Sequence, residues 1–331
     1  MRTRVLWALA VVAILALGGY AAFQLSPWPS ALAIRAAFDK GANTTSQALA
    51  RHVPQGVSAR LDERYDAADS DAHLDVFYPS EIEKGERALT TVVWVHGGGW
   101  ISGSKNQIAN YLKILAGKGY TVVGVDYSVA PGKTYPTPLK QVNAALAYLE
   151  RNARRLHVDA SRIVLAGDSG GAHIAAQVAN AVSVPAYAAS LGIAPSIGRR
   201  QLRGVILYCG GYDFGKIDLD GPFGGFMRTV LWSYFGRKDY LAHPLFATAS
   251  VVGYLTPDFP PAFISVGNAD PLAPQSRVLA EVLAARGVRV DSLFFPDDTA
   301  PALGHEYQFN LDNAAGRLAL ERSLKFLADR R

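Results

Sequence analysis

Residues 162–175 decide the fold, and they read Arg-Ile-Val-Leu-Ala-Gly-Asp-Ser-Gly-Gly-Ala-His-Ile-Ala. A β-branched, apolar run ends at Gly167, Ser169 follows two residues later, and a helix-forming segment begins near Gly171. Because both glycines lack a Cβ atom, a strand and a helix can approach each other across a sharply bent turn. Such a turn holds a serine hydroxyl above a sheet, beside a helix N-terminus whose partial positive charge stabilises an oxyanion. The pattern predicts a nucleophilic Ser169, and a glycine-rich turn without chemistry is the alternative.

A second glycine-rich stretch supplies candidate donors for that oxyanion. The sequence His96-Gly97-Gly98-Gly99-Trp100 comes directly after an apolar run that is typical of a buried strand. Successive glycines expose backbone N–H groups that can point at one spot. We therefore predict an oxyanion hole formed by the N–H groups of Gly98, Gly99 and Gly170.

A nucleophilic serine also needs a base and an acid. Asp270 follows an apolar run at residues 262–266, and the carboxyl ends of parallel strands meet at one edge of a sheet. Asp213, after the preceding strand, is the rival acid, and capping of a helix is the alternative role of Asp270. His305 lies in a loop after the last predicted strand, and the order Ser, Asp, His along the chain is a known arrangement of a catalytic triad. Asp270 and His305 are therefore the predicted acid and base.

The rest of the chain alternates strand patterns with helical patterns. This alternation predicts an α/β fold with a mostly parallel, doubly wound sheet and helices on both faces. The first strand, at residues 73–79, alternates in polarity and is expected to be half-exposed. The other predicted strands lie at 91–96, 121–126, 162–166, 205–209, 262–266 and 288–295, and the predicted helices at 107–118, 138–154, 170–181, 274–286 and 314–330.

One segment, residues 210–261, does not fit the alternation. It is rich in Gly, Phe, Tyr and Trp and contains a predicted helix near residues 226–235. Long insertions of this kind usually carry function, so we interpret it as a lid with aromatic walls. A surface excursion with its own small core is the alternative. The candidate pocket residues are Trp100, His173 and Tyr212.

The N-terminal segment, residues 1–25, has the character of a targeting sequence. Arg2 and Arg4 precede an apolar run that continues to Leu25 and is long enough to cross a bilayer. We predict a signal-anchor with an exported catalytic domain; secretion after signal cleavage and a helix packed on the domain are the alternatives. Residues 26–70 are expected to link the anchor to the domain and to contribute to the cap, with one amphipathic helix near residues 30–40.

The composition limits the classes of molecule that the chain is predicted to bind. The 331 residues carry a net charge of +5, but Lys and Arg are scattered, so no nucleic-acid partner is predicted. Cys209 is the only cysteine, which excludes an intramolecular disulfide, and it is expected to be a small buried hydrophobe. No pair of histidines has the spacing of metal ligands, so neither a metal nor a cofactor is expected. The oligomeric state is left open.

These motifs together resemble the hormone-sensitive-lipase-like branch of the α/β-hydrolases. The matching elements are residues 96–100, residues 167–171, Asp270-Pro271-Leu272, His305, the stretch Asp126-Tyr127-Ser128-Val129-Ala130-Pro131 and Tyr135-Pro136. The resemblance implies an α/β-hydrolase domain over residues 71–331, with residues 210–261 as the lid of a helical cap.

The chain departs from this branch at several positions. Ser128, Gly132 and Gln141 stand where the branch usually has Arg, Glu and Asp, and Gly170 and His173 stand where it usually has Ala and Asn. The departures leave the triad intact but weaken any transfer of fine substrate preference.

The resemblance implies a serine carboxylesterase or lipase that acts on a small-molecule ester without a cofactor. In this interpretation Ser169 attacks the carbonyl, His305 takes the proton and Asp270 orients the imidazole. The same machinery suits amide or formamide hydrolysis and carbohydrate deacetylation, because one fold carries many activities. A catalytically silent binding module is the alternative from a different class.

Overall fold

One sheet of eight strands runs through the computed structural model, which describes residues 2–221 and 223–330. The strands are β1 Val57–Arg64, β2 His73–Pro79, β3 Leu89–Val95, β4 Thr121–Val125, β5 Val158–Asp168, β6 Leu202–Tyr208, β7 Ala262–Val266 and β8 Val290–Phe294. Their order is β1-β2-β4-β3-β5-β6-β7-β8, and all neighbours are parallel except β1–β2 and β2–β4. β3 and β5 are adjacent in the middle, so the loops that follow them meet at the same edge of the sheet.

Helices cover both faces of this sheet. Their bounds are α1 Arg2–Leu25, α2 Trp28–Leu49, α3 Lys105–Ala116, α4 Thr137–Arg151, α5 Ser169–Ser183, α6 Pro185–Ser190, α7 Gly224–Phe235, α8 Ala273–Ala285 and α9 Ala314–Ala328. Alternate strand residues point to opposite faces, so Val93 and Leu165 pack with α4, α5 and α8, whereas Val92 and Val164 pack with α3 and α9. The predicted doubly wound α/β architecture is confirmed.

The segment at residues 26–70 is more ordered than the sequence predicts. α2 runs from Trp28 to Leu49, well beyond the predicted helix, although Asn, Thr and Ser in its second half are weak helix formers. Packing on α3 overrides that propensity, since Asn110 donates a hydrogen bond of 2.8 Å to the Ser46 carbonyl and Leu49 is buried. β1 was not predicted, because its outward-facing residues give it little hydrophobic periodicity.

β2 was expected to be half-exposed and is instead buried over its five central residues. Its polar Asp75 forms an ion pair of 2.8 Å with Lys105, and both side chains are buried. Phe77, two residues later, packs in the same core as α3. The alternation in the sequence therefore reflects a buried ion pair and not a solvent-facing side of the strand. β8 shows the opposite difference: it was expected to be buried, but it is an edge strand with most residues partly or fully exposed.

α1 projects from the domain. It is 24 residues long, and none of its side chains is buried. By length and composition it could cross a membrane. α2 follows after only two residues, and α2 and α7 together cover the edge of the sheet where β3 and β5 end.

Candidate active site

The turn after β5 has the strained backbone that its glycines imply. Ser169 adopts a φ of +50°, a left-handed conformation that is rare outside glycine. A Cβ atom on Gly171 would overlap the Val95 carbonyl, and one on Gly167 would lie 2.6 Å from the carbonyl carbon of Gly171. β3, β5 and α5 can therefore meet here only through glycine, and their meeting holds the Ser169 side chain at the sheet edge.

The three side chains predicted as a triad lie in one hydrogen-bonded chain. His305 Nε2 is 2.9 Å from Ser169 Oγ, and His305 Nδ1 is 2.8 Å from Asp270 Oδ2. Asp270 is buried, and its other oxygen accepts the Leu272 N–H at 2.8 Å. The rival acid, Asp213, instead accepts the N–H of Gly215.

The imidazole of His305 is tuned by its surroundings. Partial loss of water around the ring disfavours the imidazolium, but the hydrogen bond to Asp270 and the neighbouring Glu306 carboxylate favour it, and the pKa of His305 is raised above its ordinary value. An imidazole with a raised pKa is a stronger base once it is deprotonated. The arrangement is suited to taking a proton from Ser169 Oγ.

The glycine-rich loop after β3 lies directly beside Ser169. Gly98 and Gly99 adopt φ values of +106° and +59°, and within the described residues neither donates a hydrogen bond from its N–H group. A Cβ atom on Gly170 would lie 3.4 Å from the Gly99 nitrogen and 3.1 Å from the Trp100 nitrogen. The Gly99 amide and the first turn of α5 therefore face one another across a space beside Ser169.

Two acidic residues that the sequence reasoning missed lie against this loop, and one of them, Asp168, is hydrogen-bonded to it. Asp168 accepts the Gly97 N–H at 2.8 Å and the indole N–H of Trp94 at 2.7 Å. Burial, and next the neighbouring Glu306 carboxylate, raise the pKa of Asp168 well above its ordinary value. Asp168 directly precedes Ser169 in the sequence, and Glu306 directly follows His305. An acidic residue next to each motif was therefore the sequence signal that could have identified this pair.

A cavity of about 710 Å³ opens above the serine. Its walls come from α2, α3, α7, the glycine-rich loop and the segments that follow β6, β7 and β8. The large apolar side chains on them include Phe38, Trp100, Phe214, Phe223, Phe226, Met227, Leu272 and Phe309. Residues 210–261 thus supply much of the wall, and α2 supplies the rest of the roof.

Only one of the three candidate pocket residues lines this cavity. Trp100 does, whereas His173 and Tyr212 are fully buried behind the wall. His173 stacks on Phe214 with ring centroids 4.7 Å apart, and its Nε2 lies 2.9 Å from the Ala249 carbonyl. Burial lowers the pKa of His173 to about 4, so it is a neutral core residue that joins α5 to residues 210–261.

Two of the departures from the family pattern, Ser128 and Gln141, belong to one connected polar cluster. Gln141 accepts the Ser128 N–H at 2.8 Å and donates to Asp69 at 2.7 Å. Ser128 Oγ donates to Asp71 at 2.7 Å. Neutral side chains paired with the carboxylates of residues 69 and 71 thus tie the loop after β4 to α4.

One group of side chains has the composition of a metal site. Ligand atoms of Cys209, Asp270 and His305 lie within 4.8 Å of one another. However, Asp270 and His305 are hydrogen-bonded to each other, and burial raises the pKa of Cys209 to about 11, which keeps the thiol protonated at neutral pH. A protonated thiol is a poor metal ligand. Asp270 and His305 are therefore better suited to the predicted triad than to a metal site with Cys209. Cys209 is buried, as predicted.

Sequence comparison finds relatives that are named esterases. It is 28% identical over 218 residues to esterase LipQ of Mycobacterium tuberculosis, covering 65% of this chain and 50% of that protein. It is also 28% identical over 219 residues to an acetyl esterase of Salmonella paratyphi B, covering 62% of this chain and 63% of the relative. The chain thus spans between half and two thirds of the length of these curated relatives.

Comparison with solved structures finds proteins that share the fold of this chain. Esterase B from Lactobacillus Rhamnosis superposes with a TM-score of 0.75 and 25% sequence identity, over 91% of this chain and 96% of that one. Residues 92–300, well over half of the chain, match the family described as the alpha/beta hydrolase fold. The chain therefore belongs to the α/β-hydrolase family, in agreement with the resemblance seen in its motifs.

Proposed function

We propose that this chain is a serine carboxylesterase. The observation that carries the proposal is the hydrogen-bonded chain Ser169–His305–Asp270, with spacings of 2.9 and 2.8 Å, at the floor of a largely apolar cavity. A base within hydrogen-bond reach of the nucleophile, oriented in turn by a buried acid, is the geometry of nucleophilic acyl transfer. The esterase names of the relatives support the same reaction class.

Each catalytic role follows from one contact. Ser169 Oγ attacks the ester carbonyl while His305 Nε2 takes its proton, and the Asp270 carboxylate stabilises the imidazolium that forms. The N–H groups of Gly98, Gly99 and Gly170 receive the oxyanion of the tetrahedral intermediate. His305 then protonates the leaving alcohol, and a water molecule, activated by the same imidazole, releases the acid from the acyl-enzyme.

The cavity walls indicate the kind of ester. Phe38, Phe214 and Phe226 lie on the walls, so an acyl or aryl group would be desolvated there. A carbohydrate would leave its hydroxyl groups facing these rings, which disfavours a sugar deacetylase. Amide or formamide hydrolysis would use the same walls and is separated by comparing matched ester and amide substrates.

We also infer that α1 anchors the chain in a membrane. Its 24 residues span about 36 Å as a helix, which exceeds the hydrocarbon thickness of a bilayer. Arg2 and Arg4 precede the apolar run, and basic residues favour the cytoplasmic side. The catalytic domain would then lie on the opposite side; secretion after cleavage near the end of α1 is the alternative, which mass spectrometry of the mature N-terminus separates.

The test of the proposed function is the Ser169→Ala variant. We expect hydrolysis of p-nitrophenyl butyrate to fall by about 10⁴-fold or more, because no other group can form the acyl-enzyme. A fluorophosphonate probe should label the unmodified chain at Ser169 and leave the variant unlabelled.

The matched control is Ser190→Ala, at an exposed serine on α6. It should keep both activity and labelling. A folded, unmodified chain that neither hydrolyses the ester nor reacts with the probe would be a silent binding module, and full activity of Ser169→Ala would contradict the proposed nucleophile.

A further inference from the structure

The outer face of α2 changes character along its length. In its first half the exposed residues are apolar: Trp28, Leu32, Ala33, Ala36, Ala37 and Phe38. In its second half they are mainly polar: Lys40, Asn43, Thr44 and Gln47. Trp28 and Leu32 are 45% and 50% exposed, although large apolar side chains at adjacent helix turns are normally covered. The apolar half is the one that directly follows α1.

The apolar first half of α2 presents no charged side chain to solvent on its outer face. Between Ser26 and Phe38 the only charged residue is Arg35. Its guanidinium turns towards the domain and donates to the carbonyls of Ile101, at 2.7 Å, and Ala130, at 3.0 Å. The apolar face of α2 is therefore uncharged as well as exposed, which suits contact with hydrocarbon and not with water.

Aromatic and basic side chains surround the point where α1 ends. Lys238 Nζ donates to the Gln24 carbonyl at 3.2 Å and lies 5.2 Å from the centre of the Trp232 ring. Trp28 packs beside Gly132, which precedes the exposed Lys133. Tryptophan rings and lysine side chains are enriched where a protein meets the headgroup region of a bilayer. These side chains mark the level at which α1 would leave the membrane.

The mouth of the cavity lies next to the same apolar face. Phe38 and Phe223 line the cavity and remain 38% and 55% exposed, so both belong to its rim. Ala37, one of the exposed apolar residues of α2, also lines the cavity, so the apolar face and the cavity meet at this residue. Leu32 lies five residues earlier, about 7.5 Å away along the helix axis at a rise of about 1.5 Å per residue. An acyl chain in the outer part of a bilayer that lies along this face from Leu32 thus reaches the cavity at Ala37.

We propose that the first half of α2 lies in the surface of the bilayer that holds α1, and that the cavity takes lipid-soluble carboxylic esters directly from that surface. This rests on the proposed esterase activity and on the membrane anchor. The occupant of the apolar face is the lipid bilayer, because the face is continuous with a helix of membrane-spanning length and is bordered by interfacial lysine and tryptophan side chains.

The contact is tested with the full-length chain in vesicles of phosphatidylcholine and phosphatidylglycerol. A polarity-sensitive fluorophore is attached through Leu32→Cys or, as the matched control, through Gln47→Cys on the polar half of the same face. Cys209 is fully buried and does not compete for the label. Brominated lipids should quench the fluorophore at position 32 by about half or more and leave the one at position 47 unchanged.

Other results overturn the proposal. Water-like emission at both positions means that α2 stands clear of the bilayer. Blue-shifted emission at position 32 without quenching by brominated lipid means that a second copy of the chain, and not lipid, covers the face. Neither result depends on catalysis.

Activity gives the second arm. Leu32→Glu should lower hydrolysis of a long-chain fluorogenic ester dissolved in the vesicles by about tenfold, while hydrolysis of soluble p-nitrophenyl butyrate stays unchanged. Gln47→Glu should change neither rate. An equal effect of Leu32→Glu on both substrates would overturn the proposed route from the bilayer, whereas loss of both activities in the unmodified chain would contradict the esterase proposal and leave the quenching result valid.

Discussion

The sheet edge that carries Ser169 and the cap that covers it are built on different principles, and their glycines show the difference. At the sheet edge a Cβ atom on Gly171 would overlap the Val95 carbonyl. In the cap, Gly41 on α2 and Gly225 on α7 have no atom within 4 Å of the corresponding position. The edge is therefore defined by backbones in direct contact, whereas these cap helices meet through side chains such as Phe38 and Phe226, whose ring centroids are 5.7 Å apart.

The two regions therefore have different expected roles: the sheet edge positions the reacting groups, and the cap selects the substrate. Backbone contacts and short hydrogen bonds hold Ser169, His305 and Asp270, the proposed nucleophile, base and acid, and acyl transfer requires such positioning. Apolar side-chain packing is non-directional and tolerates changes of similar volume. We therefore expect substitutions at the edge to change the rate steeply, and substitutions in the cap to change which substrates are accepted.

The largest expected effect comes from Asp270→Asn. Loss of the carboxylate removes the partner that orients His305 and should lower kcat by about 10⁴-fold. Because that contact raises the pKa of His305, its loss should also move the acidic limb of the pH–rate profile to lower pH. Steady-state kinetics between pH 5 and 9, a range of about four units around the ordinary histidine value, measure both changes.

The control for this prediction lies where the cap segment begins. Asp213→Asn removes the rival carboxylate, whose oxygen accepts the Gly215 N–H and can be replaced by the amide oxygen of Asn. It should leave kcat and the pH profile unchanged. Equal losses in the two variants would mean that Asp270 does not act through His305.

A smaller effect is expected at His173, which joins the edge to the cap. Its pKa is lowered from 6.5 to about 4 by burial, so between these values the unfolded chain binds more protons than the folded one. The free energy of unfolding is unaffected by this group above pH 6.5 and falls as the pH is lowered, by roughly 3 kcal/mol at pH 4.

His173→Asn should remove this part of the pH dependence. Urea denaturation at pH 7 and pH 4.5, about two and a half units apart, measures it as a smaller stability difference in the variant. His73→Asn, at a partly exposed histidine, is the control and should keep the unmodified slope. An unchanged slope in His173→Asn would show that this buried imidazole does not resist protonation.

The smallest effect is expected from Gly170→Ala. The added methyl group would lie 3.1 Å from the Trp100 nitrogen and 3.4 Å from the Gly99 nitrogen, so the glycine-rich loop must shift by a few tenths of an ångström. We expect kcat to fall by up to about tenfold, because an oxyanion donor is displaced. Gly225→Ala in the cap, which adds the same methyl group in open space, should leave kcat unchanged. A loss of the same size in both variants would remove the contrast between edge and cap.

The motifs at the sheet edge could be predicted from the sequence because each of them is formed by one short stretch of residues. The order of strands and helices, the turn at residues 167–171 and the loop at residues 96–100 were predicted from periodicity and from the need for glycine. Asp270 and His305 were selected by chain order, and the structure brings both to Ser169. Their catalytic roles remain predictions that the variants test.

The cap and its borders were harder to predict. The second half of α2 contains weak helix formers, and contact with α3 helps to stabilise it as a helix. His173 and Tyr212 were placed in the pocket from their positions next to motifs, yet their side chains turn into the core behind it. The pairing of Asp168 with Glu306 joins two motifs that are far apart in the chain, so neither motif alone reveals it.

The sequence by itself determined that a serine stands on a strained turn between a strand and a helix, because glycine sterics and hydrophobic periodicity are local properties. It also determined that the chain begins with an apolar segment of membrane-spanning length. Only the tertiary structure decided that α2 and α7 form a roof above the glycine-rich loop, and that the outer apolar half of α2 lies beside the rim of the cavity. Those contacts join segments distant in the chain, and which segments meet is set by the packing of the whole domain and not by the residues of any one stretch.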